Sequence, residues 1–305
     1  MTCPFKNRYN KYSDYLKDKF GEKVYKVSVD AGFTCPTRNG TISTGGCIYC
    51  NNSSFSPGNR SAADIDQQIE NGIHRLKKRN INKYLVYFQS YTNTYAPIEN
   101  LEKIYKKALQ YDGVVGVSIG TRPDCIDEKV LALLDEINAD TYVSVEIGIE
   151  SIYDKTLQWA NRGHDYQITK NTIAKLKTRD LHVCGHYILG FPTESRAEML
   201  ASTAELNRLG IDALKLHHLH IVKNTKLAKI YKNKRFRLFS EEEWINFVVE
   251  YLQHLKSEIV IQRLMGDAQG DTLIAPKWEM NKFQILSSIK NKLIEQDAYQ
   301  GSKLK

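Results

Sequence analysis

Short apolar runs alternate with amphipathic helical segments along most of the chain. The helical segments carry apolar residues three and four positions apart, as in 62–78, 98–109 and 166–179, and Ser61 is expected to cap the first of them. The runs between the helical segments are typical of buried strands, and they are centred near residues 27, 86, 117, 145, 186 and 217. Because the connections are too long for hairpins, the pattern predicts βαβ units and a parallel sheet.

This order of elements predicts an α/β fold, a partial parallel (β/α)6 barrel of the TIM type followed by a mostly helical C-terminal extension. Residues 1–23 are polar and aromatic and are expected to form an N-terminal cap. Residues 24–239 are expected to form the barrel, and residues 240–305 the extension. The extension contains two helical segments and one further strand-like run, at 241–257, 278–296 and 259–263 respectively.

Length and composition favour a globular protein over a membrane-spanning or secreted one. A chain of 305 residues is long enough to bury a sizeable core. It contains no apolar run of the roughly 20 residues that a membrane span requires, and its polar, aromatic N-terminus does not resemble a signal peptide. We therefore expect a cytoplasmic protein without a membrane partner.

The chain is strongly basic, with a net charge of +8. Basic runs occur at 75–79 and 229–235, and 18 tyrosines are distributed along the sequence. Basic and aromatic side chains together favour a polyanionic partner such as RNA, because bases stack on tyrosine and lysine binds phosphate. A solvated basic face would have the same composition, so charge alone leaves this question open.

Three cysteines lie close together after the first predicted strand. Cys35 is followed by eleven residues and then by Cys47 and Cys50, which form a Cys-x-x-Cys pair in a loop rich in glycine, threonine and serine. Six cysteines in all are too few for a disulfide scaffold. A structural zinc site requires four protein ligands, whereas an iron–sulfur cluster held by three thiolates leaves one iron open. The spacing favours iron–sulfur over zinc, and both alternatives stay open.

Polar side chains occur at the ends of the predicted strands, where a parallel barrel collects its functional groups. They include Glu146 and Glu150 on the fourth strand, His186 on the fifth, beside Ile188, and His217, His218 and His220 on the sixth. Each one could be a hydrogen-bonded core residue, because an inward polar group is costly to bury without a partner. Their recurrence at the same end of successive strands predicts one shared polar cavity.

The cysteine loop and the strand ends also form a set of motifs. The set comprises DAGFTCPTRNG at 30–40, GGCIYCN at 45–51, YFQSYTNTYA at 87–96, GTRPD at 120–124, ES at 150–151, NRGH at 161–164, GFP at 190–192, LHHLH at 216–220, IQRL at 261–264 and GD at 266–267. With these residues the chain resembles radical S-adenosylmethionine (SAM) enzymes, and it is similar to their YhcC/YtqA branch, which is related to the catalytic subunit of Elongator. The eleven-residue spacing after Cys35 fits this branch.

The resemblance implies a role for each matching residue. Cys35, Cys47 and Cys50 would ligate a 4Fe–4S cluster whose open iron binds SAM. The aromatic ring of Tyr49 would shield the cluster or support the adenine. The remaining contacts with SAM are expected at Gln89, Ser90, Glu150, Arg162, His186 and Ile188, with Gly190 beside the adenine.

The resemblance further implies a substrate, the side chain of a tRNA wobble uridine. A 5-carboxymethylaminomethyl group would be converted to a 5-aminomethyl group, which a separate tRNA methyltransferase then completes, and a reductant such as flavodoxin or ferredoxin would supply electrons. The residues expected to contact the substrate or transfer a proton are His217, His218 and Glu146, followed by His220, Tyr91 and Arg122. A radical SAM enzyme for a small molecule and a zinc-stabilised RNA-binding protein are the alternatives.

Overall fold

A computed structural model describes residues 3–52, 64–268 and 270–304. Within these residues the strands are β1 (Val24–Val29), β2 (Lys83–Phe88), β3 (Val114–Thr121), β4 (Tyr142–Glu150), β5 (His182–Leu189), β6 (Ala213–His218), β7 (Ile221–Val222), β8 (Val260–Arg263) and β9 (Leu273–Ala275). Seven of these described strands form one sheet in the order β1-β2-β3-β4-β5-β6-β8, and all of its pairs are parallel. The predicted partial parallel barrel is confirmed, and the run at 259–263 supplies the seventh strand.

The helices return the chain between the strands along the outer face of the sheet. Within the described residues they are α1 (Tyr12–Phe20), α2 (Ile65–Lys77), α3 (Ile98–Ala108), α4 (Glu128–Asp140), α5 (Asp154–Trp159), α6 (Tyr166–Lys177), α7 (Arg196–Arg208), α8 (Lys226–Asn233), α9 (Glu241–Gln253) and α10 (Lys282–Glu295). Asp64 caps α2 by accepting a hydrogen bond from the backbone N–H of Asp66. Ser61, the predicted cap, lies outside the described residues.

Three element boundaries differ from the predictions. The apolar pattern from 213 to 221 predicts one strand centred near residue 217, but β6 ends at His218, because Ile221 pairs antiparallel with Ala275 in a separate two-stranded sheet. The helix α9 ends at Gln253, four residues before its predicted end. The helix α10 begins at Lys282 and not at residue 278, because a capping box of Asn281 and Gln284 fixes its start.

The C-terminal part of the chain packs directly on the barrel. The strand β8 pairs with β6, and the backbone N–H of Ile261 donates to the carbonyl of Asn10 at 2.7 Å. Trp244 and Phe247 of α9 are fully buried in the same apolar core as the barrel strands. Among the residues described, none of the helices has the length and apolar character needed to cross a membrane.

Candidate active site

A cavity of about 250 Å³ lies at the carboxyl ends of the strands. Its position follows from the topology, because a parallel sheet brings all strand ends to one edge. Nearly all of the predicted site residues line it, namely Cys35, Cys47, Tyr49, Cys50, Gln89, Glu146, Glu150, Arg162, His186, Ile188, His217 and His218. Ser90 is buried, and neither it nor Gly190 is part of the lining; a Cβ atom at Gly190 would lie 3.1 Å from the ring of Phe239.

The cysteine loop is folded by its own backbone. The N–H of Gly46 donates to the carbonyl of Thr37 at 2.8 Å, and the N–H of Cys50 donates to the carbonyl of Cys47 at 3.0 Å. Burial and the negative charge of Cys47 raise the pKa of the Cys50 thiol to about 11. Binding of a metal centre by this thiol therefore has to release a proton.

Arg162 connects the cysteine loop to β4. Its Nη1 donates to Sγ of Cys47 at 3.4 Å, and its Nη2 donates to the carbonyl of Gly148 at 2.8 Å. Its Nε is buried and has no hydrogen-bond partner within the described residues. A carboxylate bound in the cavity could satisfy this donor, because guanidinium binds carboxylates in a fork.

The end of β4 is shaped to place Glu150 beside Arg162. The pairing register shifts between Gly148 and Glu150, and Glu150 has a positive φ of 63°. A Cβ atom at Gly148 would lie 2.7 Å from Oε1 of Glu150 and 3.0 Å from Nη2 of Arg162, so glycine leaves room for both side chains. Burial raises the pKa of Glu150, although Arg162 opposes the shift.

Glu146 is the centre of a buried ion-pair network. It is 1% exposed, and its carboxylate contacts the ammonium groups of Lys26 and Lys215 and accepts a hydrogen bond from Nε2 of His186 at 2.8 Å. Burial would raise the pKa of Glu146, but the two lysines outweigh it and hold this pKa well below its usual value. Glu146 is therefore ionised and a weak proton acceptor.

One carboxylate cannot stabilise two ammonium groups equally. Burial opposes a charge on Lys26, but the attraction of Glu146 outweighs it and raises the pKa of Lys26. Burial lowers the pKa of Lys215 to about 7, and the charge of Lys26 adds to this shift. Burial and Lys215 together lower the pKa of His186 to about 4, so this imidazole is neutral.

Arg263 adds a cation to the wall of the cavity. Its Nη1 donates to Nε2 of His217 at 3.3 Å, and it forms no ion pair within the described residues. Arg122, in contrast, is held by Asp124 through two hydrogen bonds of 2.9 and 2.7 Å. Arg263 is therefore a cavity arginine without a carboxylate partner in the part of the chain described.

His218 and His220 form a pair at the edge of the cavity. Their Nε2 atoms lie 2.7 Å apart, and the ring of His218 stacks on Trp278 with the centroids 4.2 Å apart. Burial lowers the pKa of His220 to about 4. His218 is thus packed on one side and directed at His220 on the other.

Three residues of this site were not among the predicted ones, namely Lys26, Lys215 and Arg263. A lysine within an otherwise apolar strand is the signal that indicates the first two. Cys125 and Cys184, in contrast, do not line the cavity, and burial raises the pKa of each thiol to about 12.

The residues of the cavity fit the predicted cofactors. Three thiols line the cavity and would ligate a 4Fe–4S cluster, and the unpartnered Nε of Arg162 is suited to the carboxylate of SAM. Within the described residues, no group of three or more histidine, cysteine, aspartate or glutamate side chains converges closely enough for a single metal ion.

Comparison with known proteins shows the family. The sequence profile of the Radical SAM superfamily matches residues 40–206, and that of the Radical SAM C-terminal domain matches residues 211–295. The chain is 36% identical over 305 residues to the uncharacterized protein YtqA of Bacillus subtilis, covering 98% of this chain and 94% of that protein. It is also 28% identical over 164 residues to a tRNA uridine(34) acetyltransferase of Methanocaldococcus jannaschii, covering 52% of this chain and 30% of that protein.

A solved structure supports the same fold. The archaeal Elp3 of Methanocaldococcus infernus, with an N-terminal deletion, matches with a TM-score of 0.71 and 18% identity. The match covers 91% of this chain and 64% of the Elp3 chain. From the profile that covers more than half of its length and the full-length relative, the chain belongs to the radical SAM superfamily, whose members bind a 4Fe–4S cluster and SAM.

Proposed function

We propose that this radical SAM enzyme acts on the side chain of a tRNA wobble uridine and converts a 5-carboxymethylaminomethyl group to a 5-aminomethyl group. The observation that carries the proposal is Arg263, a cavity cation without a carboxylate partner in the described residues, beside His217 and in the same cavity as the three cysteines. The side chain of this nucleoside ends in a carboxylate. Similarity to an enzyme named for uridine 34 of tRNA supports the same class of substrate.

The cysteine side of the cavity holds the cofactors. Cys35, Cys47 and Cys50 would ligate the cluster, and Arg162 would bind the carboxylate of SAM through its unpartnered Nε. Glu150 and Tyr49 border the same site, together with Gln89, His186 and Ile188. When bound, the cluster and SAM would supply a 5′-deoxyadenosyl radical able to take a hydrogen atom from the carbon next to the substrate's carboxylate. Loss of one further electron, with the oxidised cluster as acceptor, would give an imine, and water would then release the carboxymethyl group as glyoxylate and leave the 5-aminomethyl group.

The lining residues at the carboxyl ends of β6 and β8 receive the substrate. Arg263 and His217 bind the terminal carboxylate, because the guanidinium of Arg263 offers donors in a fork. Nε2 of His217 already lies 3.3 Å from Nη1 of Arg263. Gly266 keeps this region open, since a Cβ atom there would lie 3.0 Å from the ring of His220 and 3.2 Å from that of His217. The carboxylate thus anchors the side chain while its carbon faces the cofactors.

Glu146 positions other groups and does not relay a proton. Its oxygen atoms are occupied by Lys26, Lys215 and His186, and its pKa is well below the usual value because the two lysines outweigh burial. His218 likewise positions His220, because Trp278 fixes the plane of its ring. Both residues were predicted as catalytic from the sequence, and the proposal assigns them this supporting role.

Two protein partners belong to the proposal. Radical SAM enzymes require a reductant, and flavodoxin or ferredoxin is the proposed donor here. The aminomethyl product carries a free amine, so a tRNA methyltransferase is the proposed enzyme that acts after it.

The test is the nucleoside profile of tRNA from a strain that lacks this protein. We expect the 5-carboxymethylaminomethyl nucleoside to accumulate and the nucleosides formed from 5-aminomethyluridine to disappear, and a plasmid copy to reverse both changes. An unchanged wobble nucleoside would refute the tRNA substrate and favour a small molecule. Iron analysis tests the cofactor separately, since the zinc-stabilised alternative requires a colourless protein with one zinc.

A further inference from the structure

The positive charge of the chain is concentrated in one segment next to the cavity. Residues 221–238 contain five lysines, two arginines and no aspartate or glutamate. Arg237 forms an ion pair with Glu243. The remaining six cations are exposed and form no ion pair in the part of the chain that the structure describes, and we call them the α8 surface: Lys223, Lys226, Lys229, Lys232, Lys234 and Arg235.

Hydrogen bonds attach this segment to the cysteine loop. The N–H of Leu227 donates to the carbonyl of Ile48 at 2.9 Å, and Nδ2 of Asn51 donates to the carbonyl of Lys223 at 2.8 Å. At the start of the segment Val222 lines the cavity itself, as does the preceding His220. The α8 surface therefore lies at the edge of the cavity, beside the loop that carries Cys47 and Cys50.

The apolar side of α8 holds the cations in place. Leu227 is fully buried in a small apolar cluster that also contains Ile48 and Phe191, and Tyr231 packs against it. The guanidinium of Arg235 lies 4.9 Å from the centroid of the Tyr231 ring. Because Lys226, Lys229 and Lys232 are three residues apart, their side chains follow one another along the exposed side of the helix.

We propose that the α8 surface binds the phosphate backbone of the RNA substrate while the wobble nucleotide enters the cavity. The inference rests on the proposed function and adds the surface that recognises the RNA. A backbone that delivers a nucleotide into the cavity passes the rim of the cavity, and a row of cations at this rim, without acidic partners among the described residues, is suited to consecutive phosphates. An acidic electron-transfer protein is the competing partner, which the test distinguishes.

The test compares two fourfold neutralisations in the reconstituted enzyme. One variant carries Lys229→Gln, Lys232→Gln, Lys234→Gln and Arg235→Gln. The matched control carries Arg75→Gln, Lys77→Gln, Lys78→Gln and Arg79→Gln. These residues lie at the carboxyl end of α2, which leads into the amino end of β2, so they are at the end of the barrel opposite the cavity. The binding of tRNA is measured anaerobically over a series of salt concentrations.

Each phosphate contact contributes roughly 0.7 to 0.9 to the slope of log K against log salt. We expect the magnitude of this slope to be smaller by about three in the α8 variant, and its affinity for tRNA at low salt to be at least about tenfold lower. The control should bind like the wild type. Iron content and SAM cleavage without tRNA should be unchanged in both, which excludes misfolding. If the fourfold variant fails to fold, Lys229→Gln with Lys232→Gln should show about half of the change in slope.

The outcomes separate the surface from the proposed function. If the wild-type enzyme converts its tRNA and the α8 variant binds tRNA with wild-type affinity and slope, the proposed role of the α8 surface is overturned and the proposed reaction stands. The same result with slower reduction by flavodoxin would also overturn it and assign the surface to the reductant. A wild-type enzyme that binds tRNA through α8 but leaves its nucleosides unchanged would refute the proposed reaction and retain the surface, and one that binds no tRNA would refute both.

Discussion

Removal of the charge of Glu146 tests the buried network at its centre. Glu146→Gln keeps the size and shape of the side chain but leaves Lys26 and Lys215 without their counter-charge. Removing one partner from a buried ion pair costs about 3–5 kcal/mol, because the remaining charge has lost its solvation and gains no substitute. For a chain of 305 residues, that loss corresponds to a fall in Tm of roughly 5–8 °C.

Glu128→Gln is the matched control. Glu128 also contacts two cations, Lys175 and Arg179, but all three side chains are solvent-accessible. Exposed pairs contribute about 0–1 kcal/mol, so the control should lower Tm by only a few degrees. The two glutamates therefore have the same number of lysine and arginine partners and differ in burial.

Anaerobic thermal unfolding of the reconstituted enzymes provides the measurement, with iron content determined for each sample. A second substitution, Lys215→Met, should recover part of the loss in the Glu146→Gln variant, because it replaces a buried polar group that has lost its carboxylate partner by an apolar side chain. The reasoning would be refuted if Glu146→Gln and Glu128→Gln lowered Tm by the same amount. Failure of Lys215→Met to recover any stability would contradict the assignment of Lys215 as a buried partner.

Three further predictions follow from the site. Cys47→Ala should abolish binding of the cluster, measured by iron content and visible absorbance, whereas Cys125→Ala should retain it; full iron in the first variant would contradict the ligand set. Arg263→Gln should lower kcat/KM for tRNA roughly 10- to 100-fold, since a hydrogen bond to a charged group contributes about 1.5–3 kcal/mol. SAM cleavage without substrate should persist in this variant, and the surface variant Arg179→Gln should behave as wild type. The free energy of unfolding should fall as pH decreases from about 6.5 to 4, because burial lowers the pKa of six histidines and the unfolded chain therefore binds more protons in this window. A midpoint of urea unfolding that is unchanged between pH 7 and 5 would argue against this prediction. These histidines are His164, His182, His186, His217, His218 and His220.

The sequence predicts most of what local pattern and motif spacing determine. The barrel strands follow from short apolar runs, and the cavity follows from polar residues at their ends, because parallel topology brings these ends together. Glu146 was expected to have a partner. That its partners are Lys26 and Lys215 could not be predicted, since they lie on strands far apart in the sequence and meet only in the curled sheet.

The missed elements have a physical explanation too. The helix α8 has a side-chain cap at Thr225, but its many lysines obscure the short apolar stripe around Leu227. The run from His217 to Val222 reads as one strand, and only the pairing of Ile221 with Ala275 reveals that it turns into a second sheet. Arg263 was assigned no role because its position depends on β8, whose place in the sheet is a tertiary property.

Conversion of a defined tRNA by the purified enzyme tests the central claim most directly. The reconstituted protein is incubated anaerobically with SAM, a reductant and tRNA that carries the 5-carboxymethylaminomethyl group, and the wobble nucleosides and 5′-deoxyadenosine are quantified together. The account predicts that the 5-aminomethyl nucleoside appears in step with 5′-deoxyadenosine. Formation of 5′-deoxyadenosine with an unchanged wobble nucleoside would contradict it.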